Sequence, residues 1–77
     1  MSTLGEATAI PLYLQISETL IREIGSGRLQ DGARLPPERA LAVRFGTTVR
    51  TLRKALSELE KKGLLERIQG SGNYVRS

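Results

Sequence analysis

The stretch Gly46–Gly63, GTTVRTLRKALSELEKKG, decides how the rest of the chain is read. Leu52, Ala55, Leu56 and Leu59 recur at helical spacing and share one face. At about 100° per residue, Arg50, Arg53, Lys54 and Ser57 fall on the opposite face. Thr47 and Thr48 offer side-chain oxygens to cap the first turn. Lys61 and Lys62 stand in the last turn, where cations complement the helix dipole. The pattern predicts an amphipathic helix over about 48–62, with a basic outer stripe near its N-terminal half.

Working towards the N-terminus, Pro37 suits the start of a shorter helix and Glu38 suits its positively polarised end. Leu41, Ala42 and Phe45 give that helix a compact apolar face, and Gly46 stops it. The preceding GRLQDGARLP carries a turn signal at Asp31-Gly32, and Arg34-Leu35 has room for a very short strand. Further upstream, Pro11 opens a third helical pattern. Leu12, Ile16, Leu20 and Ile24 recur every fourth residue, Ile21 widens the stripe, and Gly25 and Gly27 end it. This helix is expected from about Pro11 to Ser26. MSTLGEATA, residues 1–9, has no periodicity and reads as a mobile leader.

Towards the C-terminus the period changes. Leu64 to Ile68 and Asn73 to Arg76 read as short strands around Gln69-Gly70-Ser71-Gly72. Two strands alone are marginal, so they need the 48–62 helix to lie against. The expected fold is mainly α with a small β wing: three helices plus a β-hairpin, a winged helix-turn-helix occupying residues 10–77. Leu12, Ile16, Leu20, Leu41, Phe45, Leu52, Leu56 and Leu59 are assigned to its core.

Composition narrows the chemistry. The 77 residues hold one modest core, with 39% hydrophobic residues. There is no cysteine and no histidine, so the chain has no thiol nucleophile, imidazole base or soft-ligand metal site. Its carboxylates are scattered and no phosphate-binding glycine loop precedes a helix, so neither an enzyme nor a cofactor site is expected. No stretch approaches the roughly 20 apolar residues that span a bilayer, and the start lacks a signal-peptide pattern. The chain reads as cytoplasmic, with no membrane partner. The net charge of +4 is uneven: residues 1–38 carry three basic against five acidic groups, whereas residues 39–77 carry nine against three. Such asymmetry suits a polyanion-facing surface.

A major groove about 12 Å wide accepts one α-helix. A helix basic outside and apolar inside meets both demands of such a reading head. Glycines at a hairpin tip let backbone approach phosphates or the minor groove with no Cβ in the way. The string LPPERALAVRFGTTVRTLRKALSELEKKGLLERIQGSGNYV resembles the DNA-binding domain of the gluconate-repressor (GntR) family, and PLYLQISETLIREIGSGRLQDGARLP resembles its first helix and following turn. The resemblance runs from Ile10 to Val75.

It implies a bacterial transcription regulator, with a repressor the expected kind, that reads double-stranded DNA. Carried over by position, Arg39 contacts the DNA backbone or a base. Thr48, Thr51 and Arg53 face DNA from the recognition helix, and Gln69 and Gly70 form a wing tip at the minor groove. Arg50 and Lys54 join this set from the basic stripe, Lys54 as a phosphate contact. The resemblance also implies a homodimer on an inverted repeat, and a C-terminal domain that binds a small-molecule effector. No such domain lies within the sequence, which reads as a fragment of a longer protein.

Two departures bear on specificity. Val49 stands where the family often has arginine, and Arg50 carries the charge one position later, about 100° further around the axis. Pro37 stands where serine is frequent.

Each feature also has a plainer reading. Arg50, Arg53 and Lys54 suit a solvated helix face, and Arg39 an ion pair with Glu38 or Glu58. Thr48 suits a helix cap, QGSG a flexible turn, and Arg67 and Arg76 exposed strand positions. A winged helix can also serve as a protein-docking module, which needs neither the basic stripe nor a glycine wing.

Overall fold

The computed structural model describes residues 10–77. The leader expected over 1–9 lies outside them. Three helices and a hairpin follow in the expected order: α1 (Leu12–Gly25), α2 (Glu38–Phe45), α3 (Val49–Lys61), β1 (Leu65–Ile68) and β2 (Gly72–Val75).

Pro11 caps α1 with its backbone, accepting from Leu14 N and Gln15 N at 3.1 and 3.2 Å. Ile16, Leu20 and Ile24 are buried along one stripe, as their spacing requires. Ser17 is buried beside them and donates its Oγ to Leu14 O at 2.8 Å, so no polar group is left unpaired there. Leu12 corrects the expected core, being 47% exposed. It is the first helical residue, and side chains tilt towards the helix N-terminus, so it overhangs the packed region. Phe45 is a second correction: it is half-buried at the core margin, with the Arg44 guanidinium 4.6 Å from its ring centre.

Gly46 ends α2 in the left-handed conformation at φ 62°. The chain turns there within three residues, because Thr48 at once caps α3, its Oγ1 accepting from Thr51 N at 3.1 Å. Leu52, Ala55, Leu56 and Leu59 of α3 are buried, and the helix packs against α1, α2 and β1. With Ile16, Leu20, Ile24, Leu35, Leu41, Ala42, Leu65 and Val75 they form one core.

The strands pair antiparallel, Leu65 opposite Val75 and Ile68 opposite Gly72. Each begins one residue from its predicted start. The short third partner forms at Arg34, which bridges Tyr74. Leu35 N donates to Asn73 O and Val75 N to Ala33 O, both at 2.8 Å. The segment before α2 thereby fixes the hairpin against the helices.

Candidate nucleic-acid interface

Arg39 stands exposed on α2, and the other sequence-derived residues fall into two groups on the surface. Thr48, Arg50, Thr51, Arg53 and Lys54 occupy the N-terminal half of α3, and Gln69 and Gly70 sit at the hairpin tip. The α3 group is aimed by its own buried side. Leu52, Ala55, Leu56 and Leu59 lock the helix rotation, so Arg50, Arg53 and Lys54 must be exposed, and they are. Neither Arg50 nor Arg53 packs inward or lies beneath the hairpin. Ser57, placed on the outer face by helical geometry, is half-buried.

Arg39 and Arg50 form no hydrogen bond or ion pair with any described residue. The two acids proposed as partners for Arg39 are engaged elsewhere: Glu38 with Arg53 at 2.7 Å and Glu58 with Lys61 at 3.4 Å. Arg39 therefore remains open to an outside anion. Thr48 and Thr51 are joined, Oγ1 to Oγ1, at 3.1 Å. Capping and ligand contact are compatible in such a threonine, because a capped helix end presents backbone N–H groups to anions.

Two of the cations are held. The Lys54 ammonium lies 4.6 Å above the Tyr13 ring of α1, a cation–π arrangement that draws it to the side of the stripe. Arg53 donates its Nε to Glu38 Oε1 while its side chain stays 63% exposed. Glu38 receives Asn73 Nδ2 on its other oxygen at 3.3 Å. The Arg53 hydrogen bond holds the Glu38 carboxyl below its ordinary range; partial burial opposes this, and the Asn73 bond assists.

The hairpin tip is an open turn. Gly70 has φ 80° and a side chain there would meet nothing within 4 Å. Gly72 is different, since a Cβ would come within 2.7 Å of Arg34 Nε. Arg34, Glu38, Arg67, Gln69, Gly70 and Asn73 help to line a cleft of about 560 Å³ between the start of α2 and the wing.

Sequence reasoning missed Arg34, Glu38 and Asn73 as parts of this region. The only signal was Arg34-Leu35 as a possible strand partner. Arg67 is half-buried rather than an exposed strand position, and Arg76 is exposed. Arg67 donates to Arg53 O at 3.2 Å, and Arg76 pairs with Glu66 across the strands. No cluster of histidine, cysteine, aspartate or glutamate among the described residues could hold a metal ion. No described helix is long and apolar enough to cross a membrane.

Residues 12–75 match the family model described as bacterial regulatory proteins, gntR family. The chain is 56% identical over 69 residues to the HTH-type transcriptional regulator SmoD of Agrobacterium fabrum, covering 90% of this chain and 30% of that protein. It is 43% identical over 72 residues to the HTH-type transcriptional repressor NagR of Bacillus subtilis, covering 94% of this chain and 30% of the relative. Among solved structures, the AraR DNA-binding domain in complex with operator ORE1 superposes with a TM-score of 0.82 at 35% identity, covering 86% of this chain and 80% of the other. The chain thus spans about 30% of the length of these curated relatives.

Proposed function

Because this chain belongs to the gntR family of bacterial regulatory proteins, we propose that it is the sequence-specific DNA-reading domain of a transcription regulator. The observation that carries this is the division of α3. Its apolar side is fully enclosed, while Arg50 and Arg53 stand exposed on the other side. A helix so divided can enter a major groove without disturbing the core that holds it.

In this reading Arg39, Arg50 and Lys54 supply electrostatic affinity, and Thr48, Thr51 and Arg53 bring side chains to the DNA. Gln69 and Gly70 approach the minor groove, where the open space around Gly70 admits close backbone contact. Residues 10–77 are one reading head. The regulator acts as a homodimer on an inverted repeat, and a C-terminal domain binds a small-molecule effector. Two-fold symmetry would match two such heads to two half-sites, and the relatives extend well beyond the segment this chain matches, which leaves room for a further domain. Such a protein works in the bacterial cytoplasm and needs no catalysis by these residues. Without a linked second head, binding is weak.

Selection from a random duplex pool, followed by salt titration of the enriched duplex, tests the reading. Enrichment of one half-site is expected. Log affinity should fall with log salt at about −0.9 per phosphate contact. An unenriched pool or a flat salt response overturns it.

A further inference from the structure

Glu38 is an acid at the edge of a surface read here as DNA-facing, where a negative charge opposes phosphate binding. The plain expectation for it, on a helix N-terminus, is stabilisation of the dipole. Its contacts go further, because its two oxygens serve two other elements: Arg53 of α3 at 2.7 Å and Asn73 of β2 at 3.3 Å.

We propose, resting on the DNA reading above, that Glu38 is a positioning residue for sequence recognition. It holds the Arg53 guanidinium by Nε so that the two terminal amino groups face outward as a fork for a guanine edge.

The geometry supports this through donor accounting. A guanidinium has five N–H donors in one rigid plane. Glu38 takes the Nε donor, and no described residue takes a hydrogen bond from either terminal amino group of Arg53. Guanine presents O6 and N7 together in the major groove, a pair of acceptors that matches the fork. A free arginine samples many rotamers and loses that freedom on binding; one already fixed by a carboxylate that is only 25% exposed has less to lose. The lowering of the Glu38 carboxyl by Arg53 keeps this anchor charged into more acidic solution than an unpaired glutamate. The Asn73 contact ties the wing to the same anchor, so the spacing between helix and hairpin is set at the point where the fork is aimed.

The test uses the 77-residue chain and the duplex most enriched from a random pool. Two further probes are that duplex with 7-deazaguanine at single positions, and a random duplex of equal length. In the unaltered chain, one 7-deazaguanine position should weaken binding about tenfold, by removing one arm of the bidentate contact. In Glu38→Ala that penalty should shrink to near unity. Affinity for the random duplex should hold or rise, because an acidic charge has left the surface. In Arg53→Ala, adding Glu38→Ala should change sequence preference no further. Glu38→Gln keeps an acceptor for Nε without the charge and should fall between.

A Glu38→Ala chain that retains the full 7-deazaguanine penalty overturns the proposal. So does equal weakening on enriched and random DNA, which would assign Glu38 to stability or to direct contact. If Glu38→Ala does not fold, the unaltered chain decides by NMR. The Arg53 Nε–H resonance should titrate together with the Glu38 carboxyl, and independence of the two overturns the pairing. If no duplex is enriched at all, the DNA reading itself fails and the proposal falls with it.

Discussion

The buried side of α3 and the cleft beside the wing are built on opposite principles. Leu52, Ala55, Leu56 and Leu59 meet α1 and α2 through apolar packing alone. The cleft has Leu35, Pro36, Pro37 and Ile68 in its walls and is braced by directed polar links. These are the Arg34–Tyr74 bridge, Glu38 to Arg53 and Asn73, and Arg67 to the Arg53 carbonyl. Packing fixes where a helix lies but leaves its outer side chains free, whereas hydrogen bonds fix individual atoms. The helical body therefore sets the reading surface, and the polar cleft aims it.

Changes made on the two sides should part company. Leu56→Ala should have the largest effect, costing about 2–5 kcal/mol of stability. Urea unfolding would measure it, and DNA binding should disappear with the fold. Retained stability would mean that the core is looser than its complete enclosure of Leu56 indicates.

Arg53→Ala acts on the other side. It should cost about 1–3 kcal/mol of binding to the enriched duplex, with stability changed by less than about 1 kcal/mol for loss of the Glu38 pair. Parallel losses on random DNA would make Arg53 a phosphate contact.

Gly70→Asn sharpens the contrast at the wing tip. Asparagine tolerates the left-handed conformation that φ 80° demands, so Tm should fall by less than about 4 °C. Binding should still weaken if backbone approaches DNA there. A bulkier residue confuses the two effects, since the turn itself needs the positive φ.

The smallest effect is expected at Glu23–Arg44, an ion pair that joins α1 to α2 away from the cleft. Glu23→Gln should cost less than about 1 kcal/mol at neutral pH and leave DNA affinity unchanged. The Arg44 hydrogen bond lowers the Glu23 carboxyl, against partial burial, just as Arg53 lowers Glu38. Stability from a lowered carboxyl is complete above its unfolded value, about 4.3, and is lost as pH falls through the folded one. Thermal melts of the Glu23→Gln chain should therefore decline less between pH 5 and pH 3, a range set by about a unit on either side of that value. An identical decline would show that the pair adds nothing.

Much of this was legible from residue spacing. The burial of Ile16, Leu20, Leu52 and Leu56 follows from a period that repeats within each helix. The stops at Gly46 and Gly63 follow from local conformational preference, both having positive φ. Leu12 obeyed the same period and is exposed, because periodicity names a face but not where the neighbouring helix ends. Arg53 and Lys54 read alike on the helix surface. One is bound by an acid 15 residues earlier, the other by the Tyr13 ring of α1.

The sequence by itself determined which side of each helix is apolar, where the chain turns and that a basic helix is offered outward. These depend on interactions within a few residues, where spacing and geometry are linked by one fixed helical repeat. The tertiary structure alone decided that, of the cations on the proposed reading surface, Arg39 and Arg50 have no partner among the described residues while Arg53 and Lys54 are anchored. Partner choice depends on distances between elements far apart in the chain, as with Glu38 and Asn73, 35 residues apart. Those distances are set by how the core packs, and no local pattern encodes them.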